Sequence, residues 1–363
     1  KGVKADLKQT RIIKVDSHNL DIQVIRHAAS IIKDMGLVAF PTETVYGLGA
    51  NGLQADTVNK IFVAKGRPQD NPLILHVASP DDIRRIAAEI PPITNKLVEA
   101  FWPGPLTLVL PKKACIPKTV SGGLSTIGIR MPDNIIALAL IAESGIPLAA
   151  PSANLSGRPS PTEAQHVVDD MWGRIDLILD GGPTTLGVES TVLDLTEDPP
   201  SILRPGSITL EQLQTVIGDV KVDAKVSSET QSFINAAQGG IHLETECPNY
   251  FLNMKAVLVI GEAKAVINHI QKEAKIHRNR GEKVGILSSE ENKEQYLNYA
   301  DVVTSIGSRY DMTQVAANLY GVFRSFNSCK VDILFIEGFK EEGLGFAVMN
   351  RLKRASGGQI IHI

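Results

Sequence analysis

The sequence lacks long hydrophobic runs and a strong charge of either sign. Its longest uninterrupted apolar run covers residues 135–142, far short of the ~20 residues that a membrane-spanning helix needs. The polar N-terminal stretch contains no apolar signal segment, so we expect a cytoplasmic protein with no membrane partner. The 37 Lys and Arg against 40 Asp and Glu leave a net charge of −3, which excludes binding of nucleic acid by a global basic field.

Cysteines and several well-known catalytic motifs are also scarce or missing. The three cysteines, Cys115, Cys247 and Cys329, are odd in number and far apart, which fits neither a disulfide framework nor a Cys-based zinc site. A Walker A loop, a GxGxxG fingerprint before a helix, a GxSxG elbow and an HExxH helix do not occur. We therefore expect positioning and charge neutralisation rather than covalent or zinc catalysis, and no protein-held metal site.

What is present is an alternation of short apolar runs and helical patterns, which over 363 residues predicts about two α/β domains. In the first part the pattern predicts strands at residues 37–40, 73–77, 106–110, 126–129, 148–150, 177–179 and 191–193, and helices at 22–32, 81–90, 164–171 and 210–217. In the last part it predicts strands at 256–260, 283–287 and 331–336, and helices at 263–275, 311–323 and 347–355. We therefore expect a first domain at 1–217, a polar linker at 218–254 and a small, mainly parallel Rossmann-like domain at 255–363.

Polar clusters follow several of the predicted strands, where α/β proteins commonly bind ligands. The first is PTETVYGLG at residues 41–49, a tight turn whose Thr42, Thr44 and Tyr46 offer hydroxyls to a ligand. The alternative is that the threonines bond their own backbone. In KGRPQDNPLILH at 65–76, Lys65 and Arg67 suit a polyanion such as a triphosphate, unless they form a solvated face.

Further polar residues occupy comparable positions. Asn71 offers an amide contact, and His76 ends an apolar strand, where a histidine is either a core residue or a ligand contact. Arg130 ends the strand in STIGIRMP and needs a carboxylate from the protein or from a ligand, because an unpaired buried guanidinium is costly. Glu189 is one candidate partner for Arg130 or Lys65. The loop APSANLSGRPSPT at 150–162 suits phosphate or ribose.

In this order, the clusters resemble the threonylcarbamoyl-AMP synthase family, whose catalytic domain has the YrdC-like fold. The matching segments are PTETVYGLG, KGRPxxNPLILH, FWPGPLT at 101–107, GIRMP at 128–132, APSANLSGRPSPT, DGG at 180–182, GVEST at 187–191 and LRPG at 203–206. The segments SIGS, AANLYGVFR and GLGFAVMNRLKRAS, beginning at residues 305, 316 and 343, resemble the extra Rossmann-like domain of the long form. The implied fold class is α/β, a YrdC-like twisted mixed sheet followed by a small parallel sheet.

The resemblance implies a reaction that joins L-threonine, bicarbonate or CO₂, and ATP with Mg²⁺ into threonylcarbamoyl-AMP and pyrophosphate, for tRNA threonylcarbamoyladenosine modification. It implies transient contact with the transfer machinery that receives the product. By resemblance, the ATP contacts are Lys65, Arg67, Asn71, Thr126, Ala150, Ser152, Asn154 and Arg204. The threonine contacts are Thr44, His76, Arg130 and Ser190, and the residues expected to act in catalysis are Lys65, Arg67 and Arg130.

The linker departs from the family pattern. Long-form members carry a segment similar to PGMKYxHYxP that folds over the nucleotide, whereas this chain has ECPNYFLN at residues 246–253. Only Tyr250 and the nearby Pro248 persist. We hypothesise that Tyr250 still closes on ATP.

Three other functions remain open at this stage. One is an RNA-binding module, in which the cations would line a concave surface, namely Lys65, Arg67, Arg130, Arg158 and Arg204. Another is a hydrogenase-maturation carbamoyl transferase, which also needs a zinc finger that three scattered cysteines cannot supply. The last is a regulatory protein of this fold without activity.

Overall fold

The computed structural model describes residues 8–227 and 252–363, and these residues form two sheets. The first sheet has eleven strands, both parallel and antiparallel, and the second has five strands that are all parallel. Helices flank both sheets. The predicted α/β class, with a mixed sheet followed by a small parallel sheet, is confirmed.

The elements of the first sheet and its helices extend to residue 227. The strands are β1 (Arg11–Lys14), β2 (Val38–Phe40), β3 (Gly47–Asn51), β4 (Ile74–His76), β5 (Leu106–Pro111), β6 (Thr126–Arg130), β7 (Leu148–Ala149), β8 (Leu177–Asp180), β9 (Thr191–Asp194), β10 (Ser201–Arg204) and β11 (Lys221–Val222). The helices are α1 (Ile22–Lys33), α2 (Ala55–Lys65), α3 (Ile83–Ile86), α4 (Ile93–Phe101), α5 (Lys118–Ser121), α6 (Ile135–Ser144), α7 (Ala164–Met171), α8 (Leu210–Ile217) and α9 (Ala224–Ser227).

The second sheet and its helices begin at residue 255. The strands are β12 (Lys255–Ile260), β13 (Val284–Ser288), β14 (Val302–Ser305), β15 (Ile333–Glu337) and β16 (Ile360–His362). The helices are α10 (Ala263–Asn279), α11 (Lys293–Tyr296), α12 (Met312–Ser328) and α13 (Leu344–Ala355). The strand order is β14-β13-β15-β12-β16. Such alternation of parallel strands and crossover helices is the Rossmann-like arrangement that the sequence predicted.

The order of strands in the first sheet brings distant segments of the chain side by side. That order is β1-β8-β2-β3-β7-β4-β6-β5-β9-β10-β11. Strands β4 and β6 run parallel, with His76 directly opposite Arg130 at their carboxyl ends. Strand β7 lies on the other side of β4, and β5 and β9 follow β6. Because β5 runs antiparallel to β6 and parallel to β9, the N-terminal ends of β5 and β9 lie beside the carboxyl ends of β4 and β6, and polar residues at these strand ends come together there.

Helix α1 shows how the sequence produces these layers. The Asp21 side chain accepts the backbone N–H of Gln23 at the N-terminus of the helix, which satisfies one of the free donors of the first turn. The apolar residues recur at helical spacing and are buried against the sheet and α6, namely Ile25, Ala28, Ala29 and Ile32. This apolar side of the helix covers one face of the sheet.

The two sheets are joined by a shared apolar cluster as well as by the chain. Val45 and Val188 from loops of the first sheet belong to one buried cluster with Leu319 and Phe323 of α12. Gly187 has φ +73°, and a Cβ there would lie 2.4 Å from the Cα of Ala317. The backbone of the two parts therefore approaches closely just beside the polar loops of the first sheet.

Two local predictions differ from the structure. The helix expected over residues 81–90 is a 3-10 turn, Pro80–Asp82, followed by the short α3, because Ala87 has extended backbone with ψ 138°. The motif PTETVYGLG is only partly a turn, since Gly47 and Gly49 lie in β3 and pair with β2. Sequence patterns also did not predict β1, β3, β10, β11, β14 or β16.

Part of the predicted linker lies within the described residues. Strand β11 pairs in parallel with β10, and α9 follows it. Tyr250 and Pro248, on which the lid hypothesis depends, lie outside the described residues. Among the helices that the structure describes, none has both the length and the apolar character needed to cross a membrane.

Candidate active site

A polar cleft opens where the loops of the first sheet meet. Its volume is about 520 Å³, including the solvent at its mouth. The lining comes from six segments that are distant in sequence, which is typical of ligand sites in α/β proteins. The lining residues are Thr42, Thr44, Val45, Gly47, Arg67, Pro72, Leu73, Ile74, His76, Arg130, Ala150, Pro151, Ser152, Glu189, Ser190 and Arg204.

The structure brings eight of the predicted site residues to this cleft. They are Thr44, Arg67, His76, Arg130, Ala150, Ser152, Ser190 and Arg204. The other four, Lys65, Asn71, Thr126 and Asn154, are absent from its lining. Thr126 instead lines a neighbouring cavity that shares Pro72, Leu73 and Ile74 with the cleft. The Oδ1 atom of Asn71 is buried without a hydrogen-bond partner.

Lys65 and Asn154 hold the loop that begins at Ala150. Lys65 is 2% exposed, and its Nζ donates to the carbonyls of Ser152 at 2.5 Å and Asn154 at 2.7 Å. The Asn154 amide donates to the carbonyls of Leu155 and Arg158, both at 2.8 Å. Its Oδ1 is buried without a hydrogen-bond partner. This lysine therefore fixes the wall of the cleft from behind.

Arg130 is buried at the end of β6 and has a protein carboxylate as its partner. Its Nη2 lies 2.6 Å from Oε2 of Glu43, which is 7% exposed. Its Nε donates to the carbonyl of Gly104 at 3.3 Å. Glu43 stands in the motif PTETVYGLG, but the sequence analysis did not single it out. Of the two partners left open for Arg130, the structure provides the carboxylate of the protein.

His76 faces the cleft as a neutral imidazole. Burial, and then the nearby guanidinium of Arg130, lowers its pKa to about 3. Its Nδ1 lies 3.3 Å from the carbonyl of Ile74, and its ring meets Phe40 edge-on at 6.5 Å between centroids. A neutral histidine adds a polar contact to the cleft without adding a positive charge.

The hydroxyl groups of the first loop differ in what they contact. Thr42 Oγ1 donates to the carbonyl of Val45 at 2.7 Å and lies 2.9 Å from Thr44 Oγ1, so Thr42 does bond its own loop. Tyr46 is fully buried, and its hydroxyl donates to the carbonyl of Gly182 at 2.7 Å. Burial, and then the charge of Asp180, raises the pKa of Tyr46. Tyr46 therefore anchors the DGG segment rather than facing the cleft.

Ser190 and Arg204 form one hydrogen-bonded unit in the cleft. Arg204 donates from Nε to the Ser190 carbonyl and from Nη2 to its Oγ, both at 3.0 Å. The Ser190 Oγ also lies 2.8 Å from Thr107 Oγ1. A guanidinium held at two atoms keeps its orientation, so this unit presents a fixed positive charge.

Glu189 also lines the cleft, and its partner comes from the second domain. Arg351 donates to Glu189 Oε2 from Nε at 3.1 Å and from Nη2 at 2.9 Å, and Tyr320 donates its hydroxyl at 2.7 Å. Burial opposes the charged carboxylate, but Arg351 and then Arg204 lower the pKa of Glu189 to about 2. The hypothesis that Glu189 pairs with Arg130 or Lys65 was therefore wrong. Nothing in the local sequence signals this pair.

No group of three or more His, Cys, Asp or Glu residues within 8–227 and 252–363 is arranged to hold a metal ion. Glu189 in the lining of the cleft and Glu43 beside Arg130 already have guanidinium partners. A cation in this cleft would therefore depend on oxygen atoms of its ligand.

The chain matches known families over most of its length. A family described as "Telomere recombination" matches residues 30–206, and one described as "Threonylcarbamoyl-AMP synthase, C-terminal domain" matches residues 208–357. The threonylcarbamoyl-AMP synthase of Bacillus subtilis is 47% identical over 339 residues, which cover 93% of this chain and 94% of that protein. That of Pyrococcus abyssi is 45% identical over 339 residues, covering 93% and 96%.

A solved structure agrees with the fold as a whole. It is described as the crystal structure of P. abyssi Sua5 complexed with L-threonine, and it is 44% identical to this chain. The two folds superpose with a TM-score of 0.89 over 97% of this chain and 99% of that one. Both domains, and not only the cleft, are therefore shared. The chain belongs to the threonylcarbamoyl-AMP synthase family, in its long form with an additional C-terminal domain.

Proposed function

We propose that this enzyme of tRNA modification is a nucleotidyltransferase that makes L-threonylcarbamoyl-AMP from L-threonine, bicarbonate or CO₂, and ATP, with release of pyrophosphate. The observation that carries the proposal is the cleft itself, which holds two oriented guanidinium groups, Arg130 and Arg204, among small hydroxyl groups. Fixed cations of this kind bind carboxylate and phosphate groups in a site with little water.

Threonine is proposed to bind at Thr44, His76, Arg130 and Ser190. A guanidinium has five N–H donors, so the ion pair between Arg130 and Glu43 leaves donors for the carboxylate of threonine. Neutral His76 places no second positive charge beside the amine, which must lose its proton to react. The P. abyssi relative is described as complexed with L-threonine, which supports the same class of substrate here.

ATP is proposed to bind along the loops that carry Arg67, Ala150, Ser152 and Arg204, which line the cleft. Four further residues do not line the cleft and are proposed to support the nucleotide from neighbouring positions, namely Lys65, Asn71, Thr126 and Asn154. Mg²⁺ would enter as part of the substrate, held mainly by phosphate oxygens, as is usual for this ion. When bound, it would neutralise charge on the phosphates.

The proposed reaction has two bond-forming steps. The threonine nitrogen attacks CO₂ and loses a proton, which gives a carbamate. A carbamate oxygen then attacks the α-phosphorus of ATP, the bond to the bridging oxygen of the β-phosphate breaks, and pyrophosphate leaves. The two oriented guanidinium groups act by holding carboxylate and phosphates in line and by offsetting the negative charge.

The alternative of an RNA-binding module is not favoured by where its cations lie. Lys65, Arg130 and Arg204 are 2%, 4% and 6% exposed, so they cannot contact a nucleic-acid backbone at the surface. Arg158 is exposed, but it pairs with Asp170 at 2.8 Å. Binding to RNA by phosphate neutralisation needs several accessible cations.

The test measures pyrophosphate release from ATP with threonine and bicarbonate each omitted in turn. The proposal expects release only when both are present, together with a product that carries the label of ¹³C-bicarbonate in its mass spectrum. Release without threonine would indicate a general ATPase, and no release under any of these conditions would reject the synthase. The matched control is Arg85→Gln, since Arg85 pairs with Asp82 on the surface and should leave turnover unchanged.

A further inference from the structure

Two side chains of the C-terminal domain reach the carboxylate that lines the cleft. Tyr320 of α12 donates its hydroxyl to Glu189, 2.7 Å from both carboxylate oxygens. Arg351 of α13 contacts Oε2 through two nitrogens. Both side chains are almost completely buried, at 0% and 2% exposure, and neither is in the lining of the cleft.

Arg351 also contacts the segment that directly follows β10. Its Nη1 donates to the carbonyl of Pro205 at 2.7 Å, and Pro205 directly follows Arg204. Arg204 is hydrogen-bonded to Ser190, and Ser190 directly follows Glu189. The guanidinium of Arg351 therefore contacts the sequence neighbour of each residue in the Ser190–Arg204 pair. A planar group with fixed donors keeps two backbone segments at a set distance.

A second attachment holds the loop next to it. Arg324, also on α12, donates to the carbonyl of Pro159 at 2.5 Å and to Asp170 at 2.8 Å. Ser160, the next residue of that loop, donates its hydroxyl to Glu189 Oε1 at 2.7 Å. Three side chains of α12 and α13 therefore support the wall of the cleft from behind.

Stability alone does not account for such an arrangement, because a buried ion pair is often no more stabilising than apolar residues of the same volume. We propose that Tyr320 and Arg351 are positioning residues for the reaction: they fix Glu189, and through it Ser190 and Arg204, in the geometry that the substrates need. The inference rests on the proposed function. It gives the C-terminal domain a direct role in the cleft of the other domain.

The charge balance around Glu189 supplies a readout beside the rate, namely the acid limb of the activity profile measured only at pH values where thermal unfolding shows each variant to be folded. The groups that face its carboxylate are Arg351 of α13, Tyr320 of α12, Arg204 of β10 and Ser160 of the intervening loop. Removing a donor weakens the charged form, so the pKa of Glu189 must rise from about 2. Once Glu189 is protonated, it loses its ion pair with Arg351 and no longer holds Ser190 and Arg204 in place. As the pH is lowered, turnover of the variants would therefore begin to fall at a higher pH than turnover of the wild-type protein.

The experiment measures steady-state pyrophosphate release as a function of pH in Tyr320→Phe and Arg351→Lys, using the full chain. Tyr320→Phe keeps the ring and removes only the hydroxyl. Lys353→Gln is the matched control, since Lys353 lies on the same helix and pairs with Glu341 instead. Far-ultraviolet circular dichroism and thermal unfolding confirm that each variant is folded.

We expect kcat/KM to fall roughly tenfold in Tyr320→Phe and further in Arg351→Lys, as for the loss of hydrogen bonds to a charged group. The acid limb of the pH profile should move to higher pH in both, and it should stay unchanged in Lys353→Gln. If wild-type protein turns over but both variants match Lys353→Gln in rate and pH profile, the positioning role is wrong. If wild-type protein itself shows no turnover, the proposed function fails first. Should Arg351→Lys not fold, Tyr320→Phe decides.

Discussion

Replacing Arg130 with alanine perturbs a buried ion pair and the proposed contact with threonine at once. In the structure, Nη2 of Arg130 lies 2.6 Å from Oε2 of Glu43, and both side chains are almost fully buried. Arg130→Ala leaves the Glu43 carboxylate without its cation in a site of low polarity. Breaking a buried pair in this way costs about 3–5 kcal/mol of folding free energy.

Loss of the proposed contact with threonine changes a different quantity, the Kd for threonine, and involves a smaller free energy. If Arg130 holds the carboxylate of threonine, its loss removes charge-assisted hydrogen bonds worth about 1.5–3 kcal/mol. This corresponds to a roughly 10- to 100-fold rise in the Kd for threonine. The phosphates of ATP are assigned to other groups, so the Kd for ATP should change by less than about twofold.

The assay is isothermal titration with threonine and with ATP separately, beside urea unfolding of each variant. The double variant Arg130→Ala/Glu43→Gln removes the unpaired charge, so it should recover part of the lost stability but none of the threonine affinity. Equal loss of affinity for both ligands in the folded double variant, or no loss for threonine, would refute the assignment of Arg130.

Three further predictions concern the glycine contact between the domains and two titrating groups. Gly187→Ala should lower the free energy of unfolding in urea by about 1–3 kcal/mol more than Gly218→Ala. A Cβ at Gly187 would lie 2.4 Å from the backbone of Ala317, whereas a Cβ at Gly218, which also has a positive φ of +81°, would meet open space. The pKa of Glu189 is lowered from 4.5 to about 2. The charged carboxylate therefore adds about 3 kcal/mol to the free energy of unfolding above pH 4.5, and this contribution is lost as the pH falls towards 2. In a Glu189→Gln variant, the free energy of unfolding should fall less steeply with decreasing pH. The pKa of His76 is lowered from 6.5 to about 3, so its ring carbon resonances should show neutral imidazole down to about pH 4, and a midpoint near 6.5 would contradict its burial.

The parts of the site that follow recognisable strands were open to prediction from the sequence. His76 and Arg130 each end a short apolar run, and the structure places them opposite each other in β4 and β6. Apolar runs are informative because burial of both faces of a central strand requires them. The same reasoning gave the approximate bounds of most strands and of α1, α7 and α8.

Other features depend on contacts that local patterns do not encode. Strand β3 has the sequence GLGAN, which has little intrinsic strand preference, but it is buried between β2 and β7. Tyr320 and Arg351 reach Glu189 across 131 and 162 residues of chain. Their neighbours in sequence predict a helix in each case, and only the packing of α12 and α13 shows that these two side chains point towards the cleft.

The sequence separation between Glu189 and Arg351 also determines how long after Glu189 its partner is synthesised. Arg351 is made 162 residues after Glu189, which at a synthesis rate of 5–20 residues per second takes about 8–32 s. Through that interval Glu189 has the charge of Arg204 nearby but lacks its ion pair with Arg351. A chain that ends before residue 351 therefore carries the polar loops of the cleft without this support for Glu189.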